Sequence, residues 1–140
     1  MDEKLSPEQA LIYAMITMSA VDGNMRDTEL RRIGTMVQEL PPFRAFDSED
    51  LITEAKGCQR VVSGPDGLER VLQLIDDGLP AHLRETAYVL ATEVAVSDHA
   101  IRAEERRLLD LLARQLRIDA LTAAALERGA NARHRSIGEH

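Results

Sequence analysis

The 140-residue chain predicts an all-α fold: a compact bundle of about seven helices containing two pseudo-repeated helix–acidic turn–helix halves. Three observations predict it. Apolar residues recur at three- and four-residue spacing along most of the chain, and no stretch alternates convincingly as a strand would. Cap and stop residues punctuate those stripes at short intervals. Aromatics make up only 3% of the residues, so the core is aliphatic, built from Leu, Ala, Ile, Val and Met.

The first helix begins at Ser6-Pro7, with serine as cap and proline in the first turn. It buries Leu11, Met15 and Met18 and ends near Asp22-Gly23, a pair suited to a turn. The second follows Arg26-Asp27-Thr28, where Asp or Thr can cap; it carries Leu30, Ile33, Val37 and Leu40 until Pro41-Pro42 stops it. Asp47-Ser48 starts a weaker third helix to about Val62, and Ser63-Gly64-Pro65-Asp66 breaks it. The fourth presents Leu68, Val71, Leu72, Ile75 and Leu79, with Gly78 as its C-cap. Pro80 opens the fifth, which buries Leu83, Ala87, Leu90 and Val94. The sixth takes Ile101, Leu108, Leu109, Leu112 and Leu116, and Asp119 caps a short seventh closed by Gly129. Residues 1–129 thus read as one domain and 130–140 as a flexible C-terminal tail.

Self-comparison shows an internal echo. Asp22-Gly23-Asn24-Met25-Arg26-Asp27-Thr28-Glu29 aligns with Asp98-His99-Ala100-Ile101-Arg102-Ala103-Glu104-Glu105. Each copy places an Asp in the turn after an apolar helix and a Glu in the first turn of the next, where free backbone N–H groups and the helix dipole favour negative charge. If the two hairpins meet, Asp22, Glu29, Asp98 and Glu105 converge. Four close carboxylates repel unless they are protonated, paired with Arg or bridged by a cation. The spacing does not fit an EF-hand, which needs a sixth-position glycine and a twelfth-position glutamate. It suits a looser, partly hydrated Ca, Mg or Mn site, and His99 can add a nitrogen ligand that favours Zn. The bland reading of the same residues is that the Asp side chains form turns while Glu29 and Glu105 complement helix dipoles or pair with nearby arginines.

Composition removes other classes. A formal charge of -7 argues against nucleic acid as a partner. One cysteine, Cys58, excludes an internal disulfide framework and reads as a part-buried thiol rather than a nucleophile. The apolar run from Ala10 to Val21 is too short to span a membrane, and the acidic start Met1-Asp2-Glu3-Lys4 makes a poor signal peptide, so a cytoplasmic protein is expected. His82 and His134 lack ligand partners at helical spacing, and no catalytic triad or organic-cofactor motif is present. Tyr13 and Tyr88 are expected to pack with their hydroxyls outward, and Arg133-His134-Arg135 is too short a basic run to imply nucleic acid.

At Ala20-Val21-Asp22-Gly23-Asn24-Met25 with Glu29, echoed by Val96-Ser97-Asp98-His99-Ala100-Ile101 with Glu104-Glu105, the chain resembles the TerB family of tellurite-resistance-associated helical proteins. The resemblance covers roughly residues 11–118. It implies an α-helical bundle, a non-catalytic role in chemical or metal stress, and a cation held by the acidic positions Asp22, Glu29, Asp98 and Glu105. The family's second Asp-Gly pair is Asp98-His99 here, which puts symmetric all-oxygen coordination in doubt. The leading reading is therefore a non-enzymatic, TerB-like stress-response protein that binds a divalent cation and acts through protein partners, and a homodimer is compatible with its apolar stripes. The competing reading is a purely structural interaction module without metal.

Overall fold

The computed structural model describes residues 4–21, 25–96 and 101–138. Among them every regular element is helical: α1 (Pro7–Ser19), α2 (Asp27–Glu39), α3 (Leu51–Ser63), α4 (Gly67–Gly78), α5 (Arg84–Val96), α6 (Ala103–Gln115) and α7 (Ala120–Arg133). Short 3-10 turns precede α3 (Ser48–Asp50) and α5 (Ala81–Leu83), where single helices were expected to start. No helix of the described residues is long and apolar enough to cross a membrane.

The centre is the pair α1 and α5. In α1 every residue from Ala10 to Ser19 is buried, so this helix is apolar on all sides rather than along one stripe. Ser6 starts it with a reciprocal box: its Oγ accepts from the Gln9 N–H at 3.1 Å, and Gln9 Oε1 accepts from the Ser6 N–H at 2.9 Å. Around the pair, α3 and α4 cover α1, whereas α7 and α6 cover α5. The outer helices are two-faced, α2 burying Ile33 and Val37 and α6 burying Leu108, Leu109 and Leu112. Met15 and Met18 lie in the core and Met25 and Met36 against it.

Two corners depend on unusual backbone. Asp66, before α4, has φ of 51°. A Cβ on the following Gly67 would lie 1.9 Å from the Val62 carbonyl oxygen, so only glycine lets α3 and α4 meet there. Arg117, after α6, has φ of 59° without being glycine. The Ile118 N–H closes the helix end on the Ala113 carbonyl at 2.9 Å, and the Arg117 guanidinium forks onto Asp76 at 3.1 Å for each oxygen, offsetting the strained conformation.

Several expectations need correction. Leu68 is half-exposed rather than part of the buried stripe of α4. Helix α7 does not stop at Gly129 but continues to Arg133, so the ordered helical part reaches into the segment expected to be tail. Mid-helix glycine costs only about 1 kcal/mol, and burial of Ala130 together with ion pairs from the helix end outweighs it. Both tyrosines turn inward. Tyr13 Oη lies over Gly57, within 2.8 Å of where a Cβ would sit. Tyr88 is fully buried and donates to Glu127, because a hydroxyl can enter a core when an acceptor waits there.

Candidate functional site

Helices α2 and α6 are each thirteen residues long and start at equivalent places in the two acidic motifs, Asp27 and Ala103. Their caps are Arg26 and Arg102, not the Asp or Thr expected for α2. Arginine offers no acceptor, so the third helical residue does the capping instead. Glu29 Oε1 accepts from the Arg26 N–H at 3.4 Å, and Glu105 Oε1 accepts from the Arg102 N–H at 2.9 Å. Both carboxylates therefore sit in the first turn of their helices, as the spacing predicts.

Their surroundings differ. Ser19, 4% exposed at the end of α1, donates from Oγ to Glu29 Oε2 at 2.7 Å and ties the carboxylate across the turn. At the aligned place in the second copy stands Ala95, which has no hydroxyl to give. Asp22, Asp98 and His99 lie outside the described residues. Of the four expected ligands, the structure thus places Glu29 and Glu105. Among the described residues no group of three or more His, Cys, Asp or Glu side chains is arranged to hold a metal. The residues expected as ligands, Asp22, Glu29, Asp98 and Glu105, are all carboxylates, the hard-oxygen chemistry that Ca, Mg and Mn accept.

The second hairpin is braced from behind. Tyr88 of α5 and Arg106 of α6 both bond to Glu127 of α7, with Arg106 Nη2 reaching Glu127 Oε2 at 2.8 Å and Asp110 at 3.0 Å. Arg106 holds the Glu127 carboxyl below the usual glutamate range against the opposing effect of burial, while burial and the neighbouring carboxylate push the Tyr88 hydroxyl up. Since Arg106 directly follows Glu105, this clamp fixes the start of α6 relative to α5 and α7. A second network joins α4 to the end of α6. Burial resists the Asp76 charge, but bonds from Arg117 and Gln115 outweigh it and hold that carboxyl low.

A third carboxylate, Glu93, has a side chain only 5% exposed within α5 and is met by Arg133 at 2.9 Å and His134 at 3.2 Å. Sequence reasoning passed over Glu93 and Glu127. The available signal was a lone acid inside an apolar or alanine-rich helix, a position where a charge needs a partner. Cys58 is wholly buried against Thr17 at 3.3 Å, and burial pushes its thiol up to about 11, which leaves it unreactive at neutral pH.

A family model described as tellurite resistance protein TerB matches residues 8–129. No curated protein and no solved structure gives a match. The matched span contains all seven helix starts except that of α1, one residue before it, and both acidic motifs. With most of the chain covered by that one model, and a helical bundle as its fold, the protein belongs to the TerB family.

Proposed function

We propose that the protein is a non-enzymatic, cytoplasmic TerB-like stress-response protein that binds a divalent cation through Asp22, Glu29, Asp98 and Glu105 and acts through protein partners. The observation that supports this reading is the matched placement of Glu29 and Glu105 at the third position of α2 and α6, each anchored to the preceding backbone N–H. Such anchoring presets a carboxylate near a helix N-terminus, so less ordering is left for the cation to impose. The family description adds the link to tellurite resistance.

One observation favours a second reading, in which the turns are structural and the protein is an interaction module without metal. Glu29 already accepts two hydrogen bonds, and capping alone accounts for them. Thermal unfolding of metal-stripped protein with Ca, Mg, Mn or Zn, beside an Asp22→Ala/Asp98→Ala double variant, separates the two. At 100 times its dissociation constant a bound ion adds about 2.7 kcal/mol, which is several degrees for a domain this size. A shift with one ion that disappears in the double variant supports the cation site. An unchanged midpoint with all four ions leaves the interaction module.

A further inference from the structure

We infer that the last turn of α7 is a conditional strap, helical only because Glu93 of α5 holds it. Two opposed features meet there. Gly129 is exposed, a Cβ on it would touch nothing within 4 Å, and glycine is a poor helix former, so local sequence favours ending the helix at that point. Beyond it only Ala130 is buried; Asn131, Ala132 and Arg133 face outward. Beside the buried Ala130 and a bond from Asn131 Nδ2 to the Glu127 carbonyl at 3.1 Å, what ties the turn to another helix is the Glu93 carboxylate, met by Arg133 at 2.9 Å and His134 at 3.2 Å from the last helical residue and its cap. A carboxylate that deeply placed is costly without a cation, which gives the pairing its hold. The hold exceeds the glycine's tendency to end the helix by a small margin, so the turn is a small two-state element.

The strap forms one side of a groove of about 490 Å³ whose other side is α2; the charged residues of α2 along it are Arg31, Arg32 and Glu39. When the strap opens, the groove loses that side and Glu93 loses its guanidinium.

The test uses the full chain and follows Cα secondary shifts and amide exchange by NMR. In Glu93→Gln, helical shifts should vanish after Gly129 while those from Thr122 to Leu126 persist. Exchange at 131–134 should quicken roughly ten- to hundredfold, the change matching loss of a hydrogen bond to a charged group. Arg133→Ala, an exposed change that leaves α5 untouched, should move the same amides in the same direction by less. Adding Gly129→Ala to Glu93→Gln should restore the helical shifts. Retention of the last turn in Glu93→Gln overturns the proposal, as does failure of Gly129→Ala to restore it or loss of α7 as a whole.

Discussion

The two acidic hairpins share a local code and differ in what holds them. In α1–α2 the brace is short-range: Ser19 reaches Glu29 across one turn. In α5–α6 it is long-range, for Tyr88, Glu127 and Arg106 come from three helices, while among the described residues Glu105 accepts from its own backbone cap. The first carboxylate is thus positioned by a neighbour ten residues away, whereas the second is positioned through the packing of α7. The same motif can be made rigid by local chemistry or by tertiary contact, and only the second kind of brace fails when a distant helix loosens.

Four experiments break or sharpen that contrast. The largest effect belongs to Gly67→Ala at the α3–α4 corner, outside both hairpins. Its Cβ would collide with backbone, so unfolding stability should fall by about 3 kcal/mol or more, and denaturant titration should show both hairpins weakened together. Glu127→Ala comes next. It removes the acceptor of the Tyr88 hydroxyl and the more buried of the two carboxylates that pair with Arg106, a loss of about 2–3 kcal/mol after allowing for the partial exposure of Arg106. Hydrogen exchange should then speed up in α6 and α7 before α2. An equal response in α2 would erase the distinction between the braces.

Ser19→Ala should cost about 1–2 kcal/mol, read by denaturant unfolding, with exchange rising at the start of α2 and not of α6. The smallest effect is the pH dependence. Because the folded-state Glu127 carboxyl is held below its ordinary value, its pairing contributes stability above about pH 4.3, and that stability is lost as pH falls through the lower folded value. Wild type should therefore lose stability in acid more steeply than Glu127→Gln. Matching acid slopes would show that the clamp carries no charge-dependent energy.

Helix order was legible because each segment carries its own punctuation. Ser6-Pro7, Pro41-Pro42, Gly64-Pro65 and Asp119 act within a turn of where they stand, and the structure places helix ends at or within a few residues of them. The places of Glu29 and Glu105 in the first turns of α2 and α6 were legible for the same reason. The partners of these carboxylates were not. Nothing near Glu29 in the sequence marks Ser19 as its donor, and Glu127 lies 21 residues from Arg106 and 39 from Tyr88. Polar pairings of that span depend on which helices become neighbours, and periodicity says only which face is apolar.

By itself, then, the sequence determined an aliphatic helical bundle, most of its cap and stop points, and the places of Glu29 and Glu105 in the first turns of α2 and α6, since all of these follow from local propensity and spacing. Tertiary structure alone decided that α1 and α5 occupy the centre, that Tyr88 turns inward to Glu127, and that α7 runs past its glycine to meet Glu93. The last two outcomes set a local preference against burial of a charged or polar group. The need to satisfy a buried carboxylate is stronger than the rotamer or propensity cost of reaching it.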